Sequence, residues 1–160
     1  MRVFLAGSTG VIGIRLLALL HDAGHEVAGM TRSPDKAPAI AAPGAVPVVC
    51  DVFDEGALVE AVVEFSPDLV MHQLTDLPDR LDQIPDYAPR NNRIRTEGTQ
   101  NLLAAARAAG TNHFLAQSIA WTPPGAAGAI ADHERLVLDA GGVVRPTMRS
   151  FSQVEMRFRA

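Results

Sequence analysis

Residues 2–22, RVFLAGSTGVIGIRLLALLHD, restrict this chain to few folds. Val3 to Ala6 is a short apolar run suited to a buried parallel strand, and Gly7, Gly10 and Gly13 follow at three-residue spacing. Ile12, Leu16, Leu19, Leu20 and Ala23 then recur at helical period, which predicts that they form the inward face of a helix. Strand, glycine turn and amphipathic helix in succession make a site for a pyrophosphate. The first glycine permits the tight turn, the second lets backbone N–H groups approach phosphate, and the third lets helix pack closely on strand. The helix N-terminus adds unpaired N–H donors and about half a positive charge. Ser8 and Thr9 are expected to add hydroxyl donors, and Val11 and Ile12 complete the turn.

With 160 residues, 48% hydrophobic and 20% charged, the chain is long enough for one domain with a real core. A net charge of −4 disfavours nucleic acid and anionic membranes as partners. The apolar runs are strand-sized, too short to span a bilayer, and MRVFLAGSTG breaks into glycines too early for a signal peptide. A single cysteine, Cys50, rules out an internal disulfide or a cysteine-based zinc site, so a cytoplasmic protein is expected.

Strand and helix patterns alternate along the chain. His25 to Met30 reads as a second strand, and the Pro/Ala-rich segment to Pro43 as loop or frayed helix. Val46 to Cys50 reads as a third strand whose Pro47 suggests an edge position or a strand start. Asp54 is a suitable N-cap for a helix through Glu64, and Leu69 to Gln73 is a fourth strand. Thr75 to Pro89, with three prolines and four aspartates, is expected to be a solvated connection, followed by a helix over about 92–109. His113 to Gln117 is a fifth strand, 129–140 a short helix, and Val143-Val144 the start of a sixth strand. This order predicts an α/β protein with a doubly wound parallel sheet, a Rossmann fold. The domain is expected over 1–145, with 146–160 an irregular C-terminal tail.

Ligands of such sheets lie at the carboxyl ends of the strands. Those ends carry Gly7–Gly10, Thr31-Arg32, Asp51-Val52, Gln73-Leu74-Thr75 and Ser118. With these residues the chain resembles an extended short-chain dehydrogenase/reductase of the NAD-dependent epimerase/dehydratase type. GSTGVIG matches that family's GxxGxxG, and Asp51-Val52 its adenine-contacting Asp-hydrophobe pair. VMHQLT resembles its fourth-strand segment, NNRIRTEGTQNLLAAARAAG its long fourth helix, and the likeness covers about residues 1–119. It implies an NAD(P)-dependent oxidoreductase or epimerase acting on a small hydroxyl or carbonyl compound. An acidic residue after the second strand would bond the ribose 2′-hydroxyl of NAD; Thr31-Arg32 stands there instead, favouring NADP, with NAD the alternative.

In that family a serine after the fifth strand orients the substrate carbonyl, and Ser118 matches it. A Tyr-x-x-x-Lys pair then passes a proton as hydride moves. Here no tyrosine follows Tyr87 and no lysine follows Lys36, and most of the family's substrate-binding portion is missing. The alternatives to an enzyme are therefore a non-catalytic NADP-binding redox sensor or a truncated inactive relative. Asp76, Asp79, Asp82 and Asp86 lack the spacing of a calcium loop, Asp132-His133-Glu134 reads as a solvated helix face, and His72 as a core or pocket-edge histidine; no metal is expected. An incomplete sheet edge makes a homodimer an expectation as well.

Overall fold

The computed structural model describes residues 1–117, 143–146 and 152–157. Five parallel strands occupy the expected places: β1 (Arg2–Ala6), β2 (Glu26–Thr31), β3 (Val46–Val49), β4 (Leu69–His72) and β5 (His113–Gln117). Two further strands, β6 (Val143–Pro146) and β7 (Ser152–Arg157), extend the sheet to the order β3-β2-β1-β4-β5-β7-β6, with β7 antiparallel to both neighbours. A strand over Ser152–Arg157 was not expected in a tail without clean periodicity. The chain winds outward from β1 to β3, then returns to place β4 on the other side of β1. The order therefore reverses between β1 and β4, where this class of sheet opens a crevice.

Helices cover both faces. On one, α1 (Gly13–Asp22) and α2 (Ala37–Ala41) enclose Val3, Leu5, Leu17, Val27 and Ile40. On the other, α3 (Glu55–Phe65) and the later helices enclose Phe4, Met30, Leu58, Val62, Leu102 and Phe114. Each fully buried leucine or phenylalanine contributes about 1.5–3 kcal/mol by leaving water. Asp54 caps α3 as expected, accepting from Ala57 N at 3.1 Å.

The inward face of α1 is only partly the one expected, with Leu16 and Leu20 packed against the core. Ile12 and Leu19 are 45% and 64% exposed and Ala23 is exposed, while Leu17 is fully buried. Gly13 decides this, because its Cα packs on the backbone of Gly7 and Ser8. With Gly13 inward, the residue one turn on, Leu17, must also face the sheet.

The expected loop and following helix are also reapportioned. Residues 75–89 are not all connection: α4 spans Ile84–Arg93, preceded by a 3₁₀ turn at Leu81–Gln83. Pro85 sits in the first helical turn, where its missing N–H costs nothing. Pro89 lies inside α4 on an exposed surface, where water can reach the carbonyl it fails to serve. The helix then passes through a π-turn, Ile94–Gly98, before α5 (Thr99–Ala108).

Strand β3 is an edge, as Pro47 suggested. Cys50 N bonds Thr31 O at 2.9 Å, so the alternation along the strand turns the nitrogen of Pro47 outward, where it removes a donor from the free edge. Ser118, the helix expected over 129–140 and Asp132-His133-Glu134 lie outside the described residues.

Candidate functional site

The glycine turn closes on itself through Gly10 N to Gly7 O at 3.1 Å, and Ile14 N to Gly10 O at 3.0 Å starts the helix. Gly7 has φ 91°, and a Cβ there would stand 2.8 Å from the carbonyl carbon and oxygen of Gln73. Glycine is thus required on two counts, backbone conformation and the close approach of the β4 end. Gly10 is different. A Cβ there would meet only Gly7 O at 3.4 Å, so the space beyond it is open. This is the opening a pyrophosphate needs, and the turn fits the group.

The Ser8 hydroxyl is turned into the fold rather than toward the cavity. It is fully buried and donates to Met30 O at 2.9 Å, tying the turn to β2. Gly29 makes room for it, since a Cβ at 29 would lie 3.0 Å from Ser8 Oγ. Thr9 does face the crevice, its hydroxyl 3.5 Å from that of Thr31. Thr31 Oγ1 also accepts from Ser33 N at 3.2 Å and so shapes the turn that presents Arg32.

A cavity of about 230 Å³ runs along the carboxyl ends of β1 to β4. Gly7, Thr9 and Gly10 line it at the glycine turn, Thr31 and Arg32 after β2. Asp51 and Val52 line it after β3, and Gln73, Leu74 and Thr75 after β4. Of the residues expected from sequence, Ser8, Val11, Ile12 and Gly13 are not on its wall; Val11 is 81% exposed in the turn before α1. The wall also includes Ser33, Lys36, Cys50, Phe53, Asp76 and Ile94, none of which the sequence placed at the cofactor site. Lys36 had a signal available, as the sole lysine four residues beyond Arg32. Neither Arg32 nor Lys36 makes an ion pair among the described residues.

Asp51 is exposed and accepts from Phe53 N through Oδ1 at 3.0 Å. Val52 is buried over Gly98, and its carbonyl accepts from Asn101 Nδ2 at 2.9 Å. The Cys50 thiol is pushed up, by burial first and then by the Asp54 and Asp51 carboxylates, so it stays protonated. At the β4 end His72 is buried; its Nδ1 accepts from Leu74 N at 3.2 Å, and its Nε2 lies 3.1 Å from Thr99 Oγ1. It is a core histidine that shapes the wall. Asp76 N donates to Asn91 Oδ1 at 3.1 Å, and Arg90 Nε meets Asp76 Oδ2 at 3.0 Å, fastening the loop after β4 onto α4. Asp82 is engaged by Arg80 at 2.8 Å. Tyr87 lies in α4 rather than in a loop, under the Arg90 guanidinium at 4.4 Å from its ring centroid. Arg95, buried in the π-turn, reaches Gln117 O at 3.5 Å, and burial lowers its pKa.

A glycine turn that requires glycine, a helix N-terminus behind it and a crevice at the switch in strand order define a dinucleotide-binding α/β domain. Residues 7–146 match the NAD(P)H-binding family, to which the chain belongs. It is 43% identical over 121 residues to a 3-diazoavenalumate denitrifying reductase of a Streptomyces species, an alignment covering 76% of this chain and 38% of that protein. It is 31% identical over 116 residues to a 3-beta-hydroxysteroid dehydrogenase of Mycolicibacterium neoaurum, covering 71% and 31%. The chain thus spans less than two-fifths of these curated relatives. Among solved structures, the Thermus thermophilus UDP-glucose 4-epimerase complex with NAD shares the fold at TM-score 0.71 and 23% identity, over 88% of this chain and 51% of that one. The Bordetella bronchiseptica enzyme WbmG with NAD and UDP gives TM-score 0.56 and 27% identity, over 70% and 35%. The chain is an NAD(P)H-binding protein, and the curated relatives it matches carry reductase and dehydrogenase names. No helix among the described residues is long and apolar enough to cross a membrane.

Proposed function

We propose that this domain binds NADP in preference to NAD and serves a reductase. The observation that carries the preference is the pair of cations, Arg32 and Lys36, on the cavity wall beyond β2. That end of the crevice is where the adenosine ribose of a dinucleotide lies in this fold. The Arg32 guanidinium suits a 2′-phosphate bidentately, and Lys36 adds a second charge. The glycine turn takes the pyrophosphate, Asp51 and Val52 the adenine, and Gln73 to Thr75 the nicotinamide end.

The 43% identical relative is named for reductive denitrification of a diazo compound, and this favours a diazo-type substrate. When bound, the reduced nicotinamide supplies a hydride, and a carbon that loses N₂ as it accepts one needs no accompanying proton. A carbonyl or hydroxyl substrate is the second reading, favoured by the hydroxysteroid dehydrogenase relative, with Ser118 orienting the substrate oxygen. Cytoplasmic residence and self-association belong to the proposal too; a monomeric mass in solution scattering refutes the latter.

Calorimetric titration tests the cofactor reading. NADPH should bind more tightly than NADH, and Arg32→Ala should weaken NADPH selectively; equal affinities refute the preference. Turnover tests the chemistry. NADPH oxidation with an aryl diazonium compound supports the first substrate reading, and oxidation with a ketone that slows in Ser118→Ala supports the second. Tight binding that separates NADP⁺ from NADPH without turnover of either identifies a sensor and refutes both.

A further inference from the structure

The end of the cavity beyond β3 holds a stack of side chains that the Asp51-Val52 pair does not explain. Phe53 is half-buried and lines the cavity, and its N–H donates to Asp51 Oδ1 at 3.0 Å. One turn therefore presents the ring and the carboxylate together. The Arg93 guanidinium carbon lies 3.9 Å from the Phe53 ring centroid. Glu97 fixes Arg93 in turn, through bonds of 2.6 Å to Nε and 2.8 Å to the terminal nitrogen.

An exposed Arg–Glu pair spaced i,i+4 contributes little to stability by itself. Its geometric effect is larger: a bidentate pair sets the plane of the guanidinium and holds it against the ring. The negative Asp51 nearby further favours the Arg93 charge. A polarised aromatic ring at the rim of a nucleotide cavity, beside a carboxylate whose Oδ2 has no protein donor among the described residues, matches a flat base carrying an exocyclic amine.

We propose that Phe53, backed by Arg93, is a stacking platform for the adenine of the dinucleotide, beside the Asp51-Val52 pair. This rests on the dinucleotide reading of the cavity and adds a residue that sets affinity for the adenosine half. Arg93 acts through Phe53 and is a positioning residue.

The experiment titrates the wild-type chain and its Phe53→Leu and Phe53→Trp variants with NADPH and with adenosine 2′,5′-bisphosphate, which carries the base but no nicotinamide. Leucine keeps the apolar bulk of the site and removes the π-face. Phe53→Leu should weaken both ligands by the same factor, about tenfold, as loss of base–aromatic stacking does elsewhere. Phe53→Trp should restore both affinities, a rescue that a merely structural role would not show. Unchanged binding in Phe53→Leu overturns the platform, as does a loss confined to NADPH or a failure of tryptophan to restore it. A wild-type protein that binds neither ligand overturns the dinucleotide reading itself and this inference with it.

Discussion

Gly13→Ala separates what the glycine turn needs for folding from what it needs for ligand. A Cβ at 13 would stand 2.7 Å from Ser8 Cα and 2.8 Å from Ser8 C, with Gly7 O nearer still. Ordinary contact begins at 3.4 Å, so Ser8 Cα alone must retreat by 3.4 − 2.7 = 0.7 Å. It has nowhere to go, because the Ser8 hydroxyl is bonded to Met30 O and Gly7 already lies against the Gln73 and Leu74 backbone. Overpacking of this kind costs about 1–3 kcal/mol or more, against a helix-propensity gain of about 1 kcal/mol for alanine. With the turn distorted on both sides, a net loss of about 2 kcal/mol corresponds to a fall of about 4–8 °C in unfolding temperature. Gly10→Ala is the contrasting variant. Its Cβ meets nothing closer than 3.4 Å and its φ lies outside the left-handed region, so folding should be unchanged while the methyl group intrudes where phosphate is expected. Thermal unfolding by circular dichroism and NADPH titration on both variants read the two effects separately. A Gly13→Ala protein that melts with the wild type, or a Gly10→Ala protein that binds NADPH undiminished, refutes the reasoning.

Lys36→Ala should weaken NADPH by about 5- to 10-fold and leave NADH unchanged, as loss of one solvent-exposed phosphate contact implies, with both affinities read by calorimetry. Ser8→Ala removes the donor to a buried carbonyl and should lower the urea midpoint by the equivalent of about 1–2 kcal/mol, without altering the preference between the two cofactors. Cys50 titrates above its unfolded value, so its contribution to stability is complete below the ordinary thiol pKa of about 8.5 and fades as pH rises through the folded value. Cys50→Ala should accordingly flatten the alkaline limb of the stability profile, measured by denaturant midpoints from pH 7 to 10; a profile identical to the wild type refutes that assignment. Leu17→Ala, at the fully buried position of α1, should cost about 2–5 kcal/mol, whereas Leu19→Ala, on the exposed face, should change unfolding temperature little.

Much of the fold is legible in local pattern. β1 to β5 stand where short apolar runs predict strands, a local mark that the sequence carries whatever the neighbours of each strand are. Asp54 as a cap and Pro47 as an edge residue act through their own backbone and their position along the strand, so they too are readable. The glycine spacing belongs to the same class, because backbone clearance is a property of the residue itself.

Partner choice belongs to the tertiary structure. Whether the Ser8 hydroxyl faces a ligand or Met30 O depends on β2 lying behind the turn, and no spacing in the sequence encodes that distance. Leu17 rather than Leu19 is buried because Gly13 must touch Gly7 and Ser8, a contact that rotates the whole of α1. The prolines at 85 and 89 argue locally for a loop, yet α4 forms around them, with Pro85 in its first turn and Pro89 on an exposed surface. The cavity wall makes the same point: Lys36, Phe53, Asp76 and Ile94 come from four separate stretches of chain. Local chemistry in the sequence determined which strands, turns and caps form. Only the packing of those elements decided which side chains meet, because meeting depends on rotations and distances that arise when two faces of a sheet are covered at once.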